Sequence, residues 1–254
     1  KDKNVFDIRQ GVAISIFVKQ ENKKGCKVYH KDLWGLREEK YNWLKNNDFN
    51  VKDYVELEPA TPWYFFIQRN VKDLDYYLDW MKVNEIFPVN VTGVLTARDS
   101  FVIDFDKQSL RNRIIQFRNK LLSDEMIRDA FKLKDTRGWK LSEARKNLQN
   151  DENWDNYYKK ILYRPFDIRE IYYTPLMVDW GRPELMQHML KGNNLGLVTS
   201  RIIKGSEFHH IFISKTISDS SLLATNTSSS SYLFPLYLYT DSGQKKKRNR
   251  PFYQ

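Results

Sequence analysis

The chain has 254 residues, 41% of them hydrophobic and 15% aromatic, and its 42 Lys and Arg against 32 Asp and Glu give a formal net charge of +10. That apolar share excludes a disordered chain, and a mean hydropathy of −0.66 without any long uncharged apolar run excludes a membrane span. The single cysteine, Cys26, excludes an intrachain disulfide or a Cys-based zinc cage and fits a reducing cytoplasm, while the basic balance suits either a phosphate-backbone binder or a protein whose charge serves solubility.

Lys1 opens the chain without Met or a signal-like segment, so a piece of a longer protein is expected. Val12–Val18 is apolar at nearly every position, as in a strand covered on both faces, and Asn22–Gly25 supplies a turn into a second strand, Lys27–His30. This hairpin is expected at the edge of a sheet. The spacing of Leu36, Tyr41, Trp43 and Leu44 predicts a helix over Leu36–Asn47. Pro59 and Pro62 bracket a loop before a predicted strand, Trp63–Ile67, and Leu74, Tyr77, Leu78 and Met81 predict a helix over Val71–Val83.

Val91–Leu95 and Phe101–Phe105 read as short strands joined by the polar corner Thr96–Ser100. Residues 106–161 form the most helical stretch, with Leu110, Ile114, Phe117 and Leu121 at helical spacing, Ser123 and Ser142 as expected N-caps and a break at Gly138–Trp139. Residues 162–240 turn strand-rich: Ile168–Tyr173, Leu195–Ser200, Phe208–Ser214 and Tyr232–Tyr239, with a helix over Pro183–Leu190, a serine-rich loop over Ser218–Ser231 and a basic exit from Gln244 to Arg250. The expected class is α+β, with a mixed sheet and helices.

Ten glycines are scattered singly, with no phosphate-cradling or dinucleotide motif, and His30, His188, His209 and His210 lack metal-ligand spacing. Asp32, Glu38 and Lys40 match the acidic and E-x-K elements of metal-dependent nucleases, but they fall at the start of an amphipathic helix, where acidic residues serve the helix dipole. Thr61-Pro62-Trp63-Tyr64 echoes the proline–aromatic loop of amino-methylating DNA enzymes without its Asn or Asp. Three sites carry residues suited to phosphates and base edges: Thr96, Arg98, Asp99 and Ser100 at the corner; Ser200, Arg201, Lys204 and Ser206 between two strands; and Lys245, Lys246, Lys247 and Arg248 in the basic exit. Solvated hairpin tips explain any one of them equally well.

The segments Asn4–Ile14, Asp32–Tyr41, Tyr163-Arg-Pro-Phe-Asp-Ile-Arg169, Arg182–Met189, Asn194–Leu197 and Phe234–Tyr239, taken in order, resemble the C-terminal half of Type ISP restriction-modification proteins and related single-chain restriction enzymes. The resemblance implies a parent enzyme with an upstream adenine-N6 methyltransferase that uses S-adenosylmethionine and a Mg²⁺-dependent nuclease. It implies that residues 1–35 are terminal strands of that Rossmann-like methyltransferase sheet. Residues 36–254 would be the target recognition domain, which binds double-stranded DNA and positions an adenine for the upstream domain. No catalysis and no cofactor are expected of this chain itself. The alternatives are a nuclease built on Asp32, Glu38 and Lys40, and an interdomain scaffold that does not bind DNA.

Overall fold

The computed structural model describes residues 2–6, 8–22, 24–202, 210–223, 229–240 and 245–248, the last as backbone alone. The chain divides into two compact units, residues 1–80 and 81–254.

In the first unit, strand β1 (Val28–His30) is followed by helix α1 (Arg37–Asn46), strand β2 (Val55–Leu57) and a short helix α2 (Leu74–Leu78). The partner of β1 is β2, with Tyr29 opposite Glu56, and Lys27 closes the pair on Glu56 at 3.0 Å. The expected hairpin with Val12–Val18 is therefore corrected. That segment has no strand assignment, and Ile14, Ile16, Phe17 and Val18 are all exposed. An all-apolar strand needs cover on both faces, and no described strand pairs with it. Trp63–Ile67 is not a strand either, because Tyr64 takes a left-handed φ of 47° that breaks β geometry. The helix expected over Val71–Val83 shrinks to one turn and a half: Tyr76 and Tyr77 are 68% exposed, and so short a helix without a buried face has little to hold it.

The second unit opens with α3 (Val83–Ile86) and β3 (Val91–Thr92). The expected strand Phe101–Phe105 is a helical turn, α4 (Asp99–Val102), followed by the two-residue strand β4 (Ile103–Asp104). Three helices then match the periodicity: α5 (Lys107–Arg118), α6 (Asp124–Phe131) and α7 (Leu141–Gln149). Leu110, Ile114 and Phe117 are fully buried along one face of α5, and Ser123 caps α6 by accepting from the Met126 N–H. Ser142 is not a cap. The Asp135 carboxylate accepts from the Leu141 N–H instead, one residue earlier.

The last α-helix of the stretch ends at Gln149, a single 3-10 turn follows at Trp154–Asn156, and β5 (Tyr158–Arg164), which takes up the end of the expected helical stretch, forms a hairpin with β6 (Asp167–Tyr172). Then come α8 (Pro183–Leu190), β7 (Gly196–Ser200), β8 (Ile211–Ser214) and β9 (Ile217–Ser218). The strand expected over Tyr232–Tyr239 is split into β10 (Ser231–Pro235) and β11 (Tyr237–Tyr239), and the basic exit contains β12 (Lys245–Arg248), paired with β11. One four-stranded sheet runs β3-β10-β7-β8, all antiparallel. The other runs β4-β6-β5-β9, with β9 parallel to β5. A single apolar core joins the helices to both sheets, with Phe101 and Phe117 from the helices, Ile161 and Ile171 from one sheet, and Val198 and Leu233 from the other, all at most 1% exposed. The architecture is mixed α+β.

Candidate nucleic-acid interface

At one end of the β3-β10-β7-β8 sheet, four strand ends come together. Gly93, just past β3, donates its N–H to the Ser231 carbonyl at 2.9 Å, and Ser231 faces Ser200 in the β10–β7 ladder. The end of β3, the start of β10 and the end of β7 thus share a rim. Ile211, the first residue of β8, pairs with Thr199, so the segment after Ser200 leaves from the same rim.

Beyond Gly93 the chain is held against the second sheet. The Val94 N–H donates to Ser218 at 2.8 Å, and the Ser220 N–H donates to Val94 at 2.9 Å. The approach is so close that a methyl group on Gly93 would lie 2.5 Å from the Asp219 carbonyl, so only glycine fits there. Asp219 is 3% exposed; its carboxylate accepts from Arg164 Nη1 and from the Ser221 N–H, both at 2.8 Å. Burial pushes its carboxyl up to about 6, and the nearby Asp99 charge adds to this, against the opposing pull of the Ser221 N–H and Arg164.

The corner itself is a closed hydrogen-bonded knot. Asp99 accepts from the Thr96 hydroxyl and from the Tyr163 hydroxyl, the latter at 2.9 Å. Arg98 donates to the Thr96 and Met177 carbonyls at 2.8 and 2.7 Å and to Asp179 at 2.5 Å, with its guanidinium 4.0 Å from the centre of the Trp139 ring. Thr96 is fully buried and Arg98 is 7% exposed, so both brace the corner and neither presents a polar group to solvent. The sequence reading put them at the surface; the cause of the difference is the stretch Thr174–Trp180, whose carbonyl and carboxylate capture the guanidinium. Asp99 is half-buried in the same knot, and Ser100 is exposed.

Ser200 lies on the rim, where its hydroxyl donates to the Ile202 carbonyl at 3.1 Å, and Arg201 is exposed with its guanidinium 6.0 Å from the Tyr232 ring. Lys204 and Ser206 lie outside the described residues. Lys245, Lys246, Lys247 and Arg248 are on β12, which pairs with β11 beyond the other end of the sheet, where Gly196 faces Pro235 and Leu236 donates to Leu195. The structure therefore keeps Ser200 and Arg201 on the rim, ties Thr96, Arg98 and Asp99 into the corner, and sets the basic strand beyond the opposite end.

Sequence reading missed the β5–β6 hairpin at this rim. Arg164 and Asp167 close a two-residue turn of Pro165 and Phe166, and Phe166 is 90% exposed with a left-handed φ of 63°. Its ring sits edge-on to Phe212 at 5.4 Å. The Arg-Pro pair after an apolar run was the available signal for this turn.

In the first unit, Asp32 lies 3.5 Å from His30, Glu38 is exposed in the first turn of α1, and Lys40 is buried against Asp2 at 2.7 Å. Among the described residues, no group of three His, Cys, Asp or Glu side chains could hold a metal ion. No helix among them is long and apolar enough to cross a membrane.

Residues 85–251 match the family model described as the Type ISP C-terminal specificity domain. The chain belongs to that family. Three similar solved structures share the fold of this specificity domain and its surroundings: a DrdV–DNA complex (19% identity, TM-score 0.54, 87% of this chain and 23% of that one); a nuclease-deletion mutant of the Type ISP restriction-modification enzyme LlaGI with a DNA substrate mimic (18%, 0.54, 87% and 19%); and the ATP-dependent Type ISP enzyme LlaBIII bound to DNA (19%, 0.52, 82% and 14%). The chain thus spans less than a quarter of the length of each. No curated protein matches it.

Proposed function

We propose that this chain reads double-stranded DNA for a restriction-modification enzyme and positions a target adenine for N6-methylation by a domain upstream. The observation that carries this reading is the match to the Type ISP specificity domain over residues 85–251, reinforced by structural neighbours solved on DNA. Residues 1–35 would belong to the end of the methyltransferase domain, with β1 as the one described strand among them, and the methyltransferase's S-adenosylmethionine and the nuclease's Mg²⁺ would be held by the parent's other domains. Ser200 and Arg201 of the rim, with Lys204 and Ser206 next in sequence, and exposed Ser100 of the corner would meet the duplex. Lys245 to Arg248 would neutralise phosphates from a second position.

The test is a titration of the chain with a randomised pool of 30-base-pair duplexes, followed by sequencing of the bound fraction. A single short motif should be enriched, and the logarithm of the binding constant should fall linearly and steeply with the logarithm of salt concentration. Absence of binding at low salt would favour the scaffold reading.

A further inference from the structure

The tip of the β5–β6 hairpin carries two unfavourable features at one residue. Phe166 leaves nearly its whole ring in water, although apolar surface is more stable when buried. It also adopts a left-handed backbone, which strains a residue with a bulky side chain and which Gly or Asn takes at this turn position with little strain. Contact with the edge of Phe212 offsets little of this.

The stem beneath the tip is rigid by contrast. The ladder between the hairpin's two strands runs in register from Tyr158 opposite Tyr172 to Leu162 opposite Ile168, and a register shift at Tyr163 separates it from the Arg164–Asp167 pair at the tip. Arg164 is tied to buried Asp219 and stacks at 3.8 Å over Tyr163, and Tyr163 is tied to Asp99 of the corner. On the other side, Arg169 grips the Asp167 carboxylate with two nitrogens, at 3.0 and 2.7 Å. An apolar ring is therefore held out on a stiff support, beside the rim that carries Ser200 and Arg201.

We infer that Phe166 is a wedge that inserts between stacked bases of a DNA duplex, an inference that rests on the DNA-reading function proposed above. A bare aromatic at a hairpin tip would suit a protein partner as well, but the chain's net charge of +10 favours a polyanion, and a duplex is a polyanion whose interior is a stack of apolar faces. Insertion would bury the exposed ring. It would also unstack one base step, which lowers the cost of extruding a neighbouring base.

The duplex enriched from the random pool provides the probe, with 2-aminopurine placed in turn at each position. With the unaltered chain, fluorescence should rise at one base step, and Phe166→Trp should retain that rise. Phe166→Ala and Phe166→Gly should lose it and bind on the order of tenfold or more weakly, with the salt slope unchanged because no phosphate contact is removed. Phe166→Gly should melt no lower than the unaltered chain, which separates loss of the wedge from loss of the fold. Equal affinity and equal fluorescence in the unaltered and Ala chains would overturn the inference; so would a change confined to sedimentation behaviour, which would mark the tip as a protein contact. If the unaltered chain bound no duplex, the proposed function and the wedge would fall together, whereas binding without any unstacking would remove the wedge alone.

Discussion

Asp219 shows how a residue with no obvious role in the sequence becomes decisive once buried. It joins the two sheets through its backbone and pairs with Arg164 at the foot of the β5–β6 hairpin, yet its environment disfavours the charge it carries. With a folded value of about 6 against 3.8 for the free side chain, the folded state retains a proton that the unfolded state has lost between those values. The stabilising contribution is complete below 3.8 and disappears as the pH rises through 6. Asp219→Asn, which cannot ionise, should therefore gain stability relative to the unaltered chain across that window, by up to about 3 kcal/mol. Urea unfolding midpoints at half-unit pH steps would measure the difference, and a constant difference from pH 4 to 7 would contradict it.

Among elements, the corner between β3 and α4 depends on one arginine. Arg98 satisfies two carbonyls, neutralises Asp179 and covers Trp139, so truncating it leaves a half-buried carboxylate and two bare carbonyls. Arg98→Ala should destabilise the second unit by about 3–5 kcal/mol, and Arg98→Lys should restore little, because an ammonium cannot form the same fork or stack. A urea titration of both variants measures this, and a loss under about 1 kcal/mol for Ala would show that the corner is held by other means. The same inward use of arginine recurs at Arg145, which donates to the Phe117, Asn119 and Leu122 carbonyls at the end of α5, and at Arg118, which donates to Leu148 and Asp151.

At the scale of the whole molecule, these buried and half-buried arginines are drawn from a total of 42 Lys and Arg, and the net charge of +10 stands beside their structural use. Part of the basic count braces the scaffold, and the groups left for phosphates are exposed lysines and rim residues such as Arg201. The core is likewise confined: every residue of the continuous apolar cluster lies between Val94 and Leu233, inside the unit of residues 81–254. That unit, expressed alone, should fold cooperatively, with coincident near- and far-ultraviolet circular dichroism transitions on heating; non-coincident transitions would show that residues 1–80 are needed.

Local chemistry alone determined the elements whose pattern is self-contained. The α5 stripe of Leu110, Ile114 and Phe117, the Ser123 cap, Pro183 at the start of α8 and the β7 and β8 strands were all legible because period and capping act over a few residues. The ordered segments from Asn4 to Tyr239 likewise indicated the family before any geometry. Tertiary structure alone decided which polar side chains are free. Thr96 and Arg98 have the composition of DNA-reading groups, but partners some eighty residues away at Met177 and Asp179 take up Arg98 and close the corner over Thr96. It also decided strand fate where pairing is non-local: Val12–Val18 has the pattern of a covered strand and no described strand to pair with, while Tyr158–Arg164 becomes one because β6 and β9 flank it. Local propensity sets what a segment can be, whereas hydrogen-bond partners and burial distant in the chain set what it becomes.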